Sequence, residues 1–451
     1  MTSAVEQLMG MAKTPDLYDH SPGELASLHV AAMNERFQER RGDIKLLQHR
    51  AKQAGIEAVT STADMVPLLF PHTAYKSYPE SILIERQWAK LTRWMETIST
   101  YRMPELDFDE INDIDDWVNA LTEHGLYVSC SSGTTGKSAM LIASERDMKW
   151  LQHEAVVSYA WGSGVVPAQD RQIFGLAPVA QVPRNVLLGN AYRDALQDPS
   201  QEPFAYPAPP ITIAGLTNMV VMRKRIADGT ATPEEIAELE ATSKSRGEAM
   251  DAAIGIAAKA IAEARSQKLH VSGMWASLYP IAKAVREMGF SAQDFHPENS
   301  FYVGGGLKRA QLPPDYREFV WETFNIAPER NYINYSMQEL QSSMPRCQAG
   351  GRYHLPPWLV PLILDKSGDA LLPVSDSEYE GRAAFFDVSI DGRWGGVITG
   401  DKVSISYAPC PCGTRGATIR DDVTRYADLE GDDKIGCAGT VDAYVRGVST
   451  P

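Results

Sequence analysis

Apolar positions in residues 1–125 recur mostly at helical spacing. Leu25, Leu28, Ala32, Phe37, Ile44 and Leu47 follow that period, and Gly55 is a plausible stop. Ser21-Pro22-Gly23-Glu24 has the spacing of a capping box, with Pro at the first helical position. His72 to Pro79 reads as an extended segment whose aromatics belong to the core. Tyr127 to Leu141 is an apolar lead-in, a loop of small residues and a return to apolar sequence. Ser144 to Asp147 can cap a helix through Trp150 and Leu151, and Phe174 to Pro178 reads as a buried strand ending in a turn. Residues 195–215 are Pro-rich loop.

From Thr232-Pro-Glu-Glu235 an Ala-rich helical stretch runs to about Lys268, and its length and charge suggest a solvated hairpin or insertion. Leu269 to Ser272 is then a strand, Ala276 to Met288 an amphipathic helix stopped by Gly289, Phe301 to Val303 a strand, and Pro314 to Phe324 a helix. This alternation predicts an α/β sheet. Past residue 360 the pattern shifts to short β-like runs, among them Leu359 to Leu364, Ala383 to Phe386 and Gly396 to Gly400. Four regions result: a helical prelude over 1–125, an α/β core over 126–355 with a helical insertion near 218–268, a β-rich region over 356–439, and a tail over 440–451.

The net charge of −15 opposes nonspecific binding to nucleic acid or an anionic membrane. No apolar run is long enough to span a bilayer, and Met1 to Lys13 lacks a signal-peptide core. Five cysteines argue against a disulfide framework and for a cytoplasmic protein.

The chemistry centres on Ser131-Ser132-Gly133-Thr134-Thr135-Gly136-Lys137. Glycines here let backbone N–H groups form an anion nest, and Lys137 adds a mobile cation, so a polyphosphate is the simplest ligand. It is not a Walker loop, because only two residues separate the glycines. A polar surface turn is the competing reading. Cys347, His354, Cys410 and Cys412 supply either a complete tetrahedral zinc set or a group of buried, inert thiols. Cys130 reads as a small residue of the loop rather than a nucleophile.

The order S-S-G-T-T-G-K resembles the phosphate loop of the adenylate-forming superfamily of acyl- and aryl-CoA ligases, adenylation domains and luciferases. Ser138-Ala139-Met140 stands where many members have Pro-Lys-Gly, which is closer to the phenylacetate-CoA ligase branch and to acyl-protein synthetases. The resemblance runs from about Tyr127 to Gly439. It implies the layered α/β sheets of that superfamily's large N-terminal domain, with a small β-rich region closing the site. Gly304, Gly305 and Gly306 would form the turn against adenine. Asn334 to Glu339 resembles the Y-G-x-T-E motif, with Ser336 in place of Gly and Gln338 in place of Thr. By that resemblance Tyr335 flanks adenine, Glu339 holds Mg²⁺, and Asp401 of Thr399-Gly-Asp401 accepts hydrogen bonds from the ribose hydroxyls. Arg425 or Arg420 would serve the ribose in place of the family arginine, whose position is Glu430 here. Lys137, Thr134 and Glu339 are the catalytic candidates, with Ser131, Ser132, Gly133, Thr135, Gly136 and Ser336 contacting nucleotide. The Cys/His set matches a structural metal found in some phenylacetate-CoA ligase-type proteins.

The activity implied is ATP-dependent, Mg²⁺-assisted conversion of a small carboxylic acid to an acyl-adenylate, with coenzyme A as acceptor. A protein thiol or an amine is the second possibility, and a non-catalytic nucleotide-binding subunit the third. Asp432 to Gly439 resembles the hinge before the family's C-terminal subdomain. The residues after it are too few for that subdomain and its lysine, so it would come from a partner or separately encoded subdomain, or the sequence is a piece of a longer chain; Lys434 precedes the hinge glycine and does not occupy that place.

Overall fold

The computed structural model describes residues 2–79, 81–130, 138–304, 311–375 and 377–430. The chain divides into two compact units, one formed by residues up to Glu154 together with those from Tyr335 onward, the other by Ala155–Asn334. The helical prelude and the β-rich region therefore share a unit, although they are far apart in sequence.

Two buried arginines explain that pairing. They lie on the helix Pro22–Arg40, whose start carries the expected capping box between Ser21 and Glu24. Arg36 Nε donates to Val388 O at 2.9 Å, and the Arg40 guanidinium donates to Arg393 O at 3.1 Å and Asp391 O at 2.6 Å. Phe37 of the same helix meets Trp394 edge-on at 6.3 Å. A buried guanidinium is costly unless its donors are matched, and here backbone carbonyls match them. The next helix, Lys45–Ala54, ends at Gly55 in the left-handed region, φ 67°.

The sheet of this unit runs Arg352–His354, Thr418–Arg420, Gly396–Ser406, Tyr379–Asp387, Leu359–Leu364, antiparallel throughout. Phe70–Pro71 joins Gly396–Ser406 in parallel and Thr424–Arg425 joins it antiparallel. Two expectations are corrected here. His72 to Pro79 is not extended, because His72–Lys76 forms a 3₁₀ turn that sinks Ala74 and Tyr75 into the core. Thr399-Gly-Asp401 is not a turn between strands but the middle of the strand Gly396–Ser406, opposite a register shift between Arg382 and Ala384. Such a bulge re-aims side chains without ending the strand.

The unit also holds a hairpin, Leu126–Cys130 against Met140–Ser144, with Cys130 opposite Met140. This matches the apolar lead-in and return on either side of the phosphate-loop sequence. Ser131 to Lys137 lie outside the described residues. Asp147 caps the helix Glu145–Ser163 as expected, its carboxylate accepting from Ser144 N at 3.0 Å while Asp147 N donates to Ser144 Oγ at 3.1 Å.

The second unit is the predicted α/β sheet. Its strands are all parallel, in the order Phe204–Ala205, Gln172–Leu176, Leu269–Gly273, Ser300–Val303, Asn331–Tyr332. The central strands are short apolar runs because helices cover both faces of such a sheet. Trp275–Glu287 and Tyr316–Phe324 pack there around Val271 and Phe301. The long Ala-rich helix is Pro233–Glu263, with its capping box at Thr232 and Glu235. Only its first half has the solvated character expected. Ala253, Ala257, Ala258 and Ile261 are buried in the core, since small side chains let that half lie close to the helix Trp275–Glu287.

Candidate functional site

In the first unit the bulged strand Gly396–Ser406 presents Asp401 toward Tyr335. The Tyr335 hydroxyl donates to Asp401 Oδ2 at 2.6 Å. Arg425 stands directly opposite Asp401 in the ladder, its Nε 3.7 Å from Oδ1. The Asp401 side chain is 17% exposed and that of Arg425 65%, so a deeply set carboxylate is flanked by an exposed surface cation. Burial pushes the Asp401 carboxyl up, and the Tyr335 hydrogen bond, Arg425 and Arg382 pull it back. Burial, then the Asp401 charge, holds the Tyr335 hydroxyl well above its usual range, so it stays a donor.

Arg382 braces this strand from behind. It is buried, donates from Nη1 to Thr399 O at 3.0 Å, and lies 4.3 Å over the Tyr426 ring. Thr399 Oγ1 in turn accepts from Asp401 N at 3.1 Å. The Tyr335 ring packs near Tyr353 and Phe385 at 5.8 and 6.3 Å. The structure thus places Arg425 beside Asp401. Arg420 is committed to Glu378 and Asp422 at 2.9 and 2.8 Å.

Glu339 sits half-buried in the turn after Tyr335, and its carbonyl accepts from Arg393 Nη1 at 3.2 Å. Ser336 is exposed. Lys76, at the end of the 3₁₀ turn, is a member of this group that the sequence reading missed. Burial lowers its pKa, the charge of Glu339 raises it, and Arg425 lowers it, so these three charged groups share one neighbourhood. The segment's aromatics drew it toward a purely core role, and only the pairing of Phe70–Pro71 with Val397 and Ile398 reveals where it leads.

In the second unit, Gly304 N follows the strand Ser300–Val303 and donates to Gly273 O at 3.3 Å. Gly305 and Gly306 lie outside the described residues, as do Asp432 to Gly439 and Lys434.

The four Cys/His residues come together. Their ligand atoms all lie within 4.8 Å of one another, with Cys347 Sγ to Cys410 Sγ and Cys412 Sγ to His354 Nε2 both at 3.6 Å. Zinc with Zn–S of about 2.3 Å and Zn–N of about 2.0 Å implies tetrahedral edges of about 3.5–3.8 Å, so the donor set fits. Thr414 Oγ1 lies 3.1 Å from His354 Nδ1, which leaves Nε2 for a metal, the arrangement expected of an oriented ligand. Gly350 N donates to Cys347 Sγ at 3.3 Å, and a Cβ there would lie 2.4 Å from Cys410 Sγ. The cradle therefore requires glycine at 350. Burial pushes the Cys410 thiol up to about 12. At Cys412 burial also raises the thiol, but hydrogen bonds from Thr414 and the other cysteines outweigh it and the net direction is down. Cys130 is buried against Met140, its thiol pushed up to about 12 by burial, as suits an inert residue.

No helix among the described residues is long and apolar enough to cross a membrane. The sequence matches no protein-family model, and no curated protein matches it. Solved structures do. One is 2-hydroxyisobutyryl-CoA ligase in the postadenylation state in complex with R3-HIB-AMP, with TM-score 0.57 and 11% identity over 96% of this chain and 74% of that one. A second, an open conformation of that ligase with 2-HIB-AMP and CoA, gives TM-score 0.56 and 11% identity over 92% of this chain and 73% of that one. A third, in the thioesterification state, gives 0.57 and 12% over 91% and 70%. At such identities the likeness is one of fold, and this chain shares the fold of 2-hydroxyisobutyryl-CoA ligase.

Proposed function

We propose that this chain activates a carboxylic acid with ATP, forming an acyl-adenylate and pyrophosphate, and passes the acyl group to coenzyme A. The observation that carries the reading is the convergence of Tyr335, Asp401 and Arg425 on this fold. Separated by 66 residues in sequence, Tyr335 and Asp401 meet through a hydrogen bond, and both belong to motifs assigned to nucleotide. With Oδ2 held by Tyr335, the Asp401 carboxylate keeps acceptor capacity for ribose hydroxyls. Arg425 limits the cost of a charged Asp401 at depth.

In this reading the substrate carboxylate attacks the α-phosphorus, one phosphoanhydride bond breaks, and pyrophosphate leaves. The chain's work is positioning and charge stabilisation. Glu339 supplies hard oxygen ligands for Mg²⁺, which would neutralise phosphate charge when bound. By their motifs, Ser131, Ser132, Gly133, Thr134, Thr135, Gly136 and Lys137 are assigned to the phosphates, and Gly304, Gly305, Gly306 and Ser336 to the nucleotide. The neighbours' complexes with AMP adducts and CoA support the adenylate and the acceptor. Zinc held by Cys347, His354, Cys410 and Cys412 would fill all four of its positions with protein, leaving none for substrate, so its role is to staple the strand Arg352–His354 to the segment around 410–414.

The test is pyrophosphate release from ATP and Mg²⁺ with a panel of carboxylic acids, followed by mass detection of the CoA thioester. Acid-dependent release is expected; none with any acid would overturn the adenylation reading. Release without thioester would overturn only the acceptor.

A further inference from the structure

Within the first unit a cavity of about 540 Å³ lies between the helix Pro22–Arg40 and the sheet's outer strand Leu359–Leu364. Its walls include Leu25, Val30, Leu355, Leu359 and Ile363, and none of its lining residues is Lys, Arg, Asp or Glu. Neither Tyr335, Glu339 nor Asp401 contributes to it. The cavity opens to solvent beside Gly23 and Ala26, and its volume falls in the range of small-molecule pockets.

Water is a poor occupant. A bound water needs two to four polar partners, and His20 Nε2, 3.9 Å from Asp16 Oδ2, is a single buried nitrogen of the lining without a hydrogen-bond partner, while other polar groups are engaged. His29 Nε2 is 2.7 Å from Pro357 O, Thr60 Oγ1 donates to Asp64 at 2.8 Å, and Tyr379 and Tyr407 hydrogen-bond each other. An anion is a poor occupant as well. Asp16, Asp19 and Glu24 lie beside lining residues in sequence. The cation nearest them, Arg415, is spent on Asp19 and Glu24 at 3.1 and 2.9 Å. A free fatty acid would bring a carboxylate to an apolar wall with no charge to meet it. A molecule of the same chain length without charge avoids that penalty, bears only the smaller desolvation cost of its one polar end, and gains dispersion contacts with the lining.

We propose that this cavity is a binding site for an uncharged aliphatic molecule carrying at most one polar end, such as an alcohol, aldehyde or ester, separate from the nucleotide constellation. The proposal does not depend on the activity above. The exposed mouth residue Ala26 offers a way to block it without touching the buried wall.

The experiment is calorimetric titration of the full chain with octanol and with octanoate at pH 8, on the wild type and on two filling variants, Ala26→Trp and Val30→Phe, whose folding is checked by circular dichroism and melting. Because octanoate is also a candidate acid for activation, only binding that Ala26→Trp removes is assigned to the cavity. The expected result is one octanol per chain, unaffected by saturating ATP, with cavity binding of octanoate at least about tenfold weaker. Loss of octanol binding in at least one folded filling variant completes the case. Absence of octanol binding to the wild type, octanoate binding in the cavity as tightly as octanol, or octanol binding that survives every folded filling variant would each overturn it.

Discussion

The Cys/His cluster and the Tyr335–Asp401–Arg425 group occupy the same unit and are built on opposite principles. The first is closed: four donors converge within 4.8 Å, and Gly350 is pinned against the sulfurs. The second is open: a buried carboxylate has one oxygen held by Tyr335 and the other facing a side chain that is 65% exposed. Closure suits a staple, since every position on an ion held there would be taken by protein. Openness suits a ligand site, where acceptor capacity is left over and the nearby cation is exposed. Breaking the first should therefore cost folding, and breaking the second should cost binding.

The largest effect is expected at the cluster. Cys410→Ser or Cys412→Ser should abolish the one zinc per chain that metal analysis of unchelated protein should find, and lower stability by on the order of 4 kcal/mol or more. Zinc content unchanged in both variants would dissolve the contrast. Gly350→Ala should act in the same direction, because its Cβ has no room beside Cys410.

At the open site, Asp401→Ala should weaken ATP binding by about 1.5–3 kcal/mol, the worth of hydrogen bonds to a charged group, with little change in melting temperature. Equilibrium titration with ATP measures it. Arg425→Ala should weaken ATP by less, while Arg420→Ala, whose partners are Glu378 and Asp422, should leave ATP affinity unchanged. Equal effects from the two arginines would mean that their different partners carry no functional meaning.

Glu339→Gln sharpens the comparison within the open site. It should slow acyl-AMP formation more than it weakens ATP binding, and shift the Mg²⁺ requirement upward in single-turnover assays. A wild-type Mg²⁺ dependence would remove Glu339 from the metal.

A pH-dependent effect is expected in the second unit. His270 is fully buried with Nδ1 3.1 Å from Tyr159 Oη and 3.0 Å from Ser300 Oγ, and burial pushes its pKa down to about 3. The unfolded chain binds the proton near 6.5, so the neutral, folded form has full stability above that pH and loses it as pH falls toward 3. Urea unfolding should show about 2 kcal/mol less stability at pH 5 than at pH 7.5 from this residue. His270→Gln should flatten that slope even while lowering stability throughout.

Much of the fold was legible in the sequence where local chemistry dominates. The capping box at Ser21, the helix start at Thr232, the stop at Gly55, and the alternation of strand and helix over 269–324 appear as read. The four metal-site residues are also brought together as their types suggested. Other features were not legible. The 3₁₀ turn at His72–Lys76 looked extended because its aromatic run has strand-like residues, yet burial of Tyr75 decides its shape. Thr399-Gly-Asp401 looked like a turn, but the bulge that holds it in a strand belongs to the pairing with Tyr379–Asp387.

The sequence by itself determined residue types, periodicity and caps, because these are settled within a few residues along the chain. Which distant residues would share an environment was left to the tertiary structure. Asp401 could have faced any partner; its meeting with Tyr335, and the choice of Arg425 over Arg420, follow from strand register, which depends on where whole strands pack. Likewise Arg36 and Arg40 read as ordinary charged residues of a helix. Only the bare carbonyls of the segment 388–393 make them the buried bond between the two ends of the first unit.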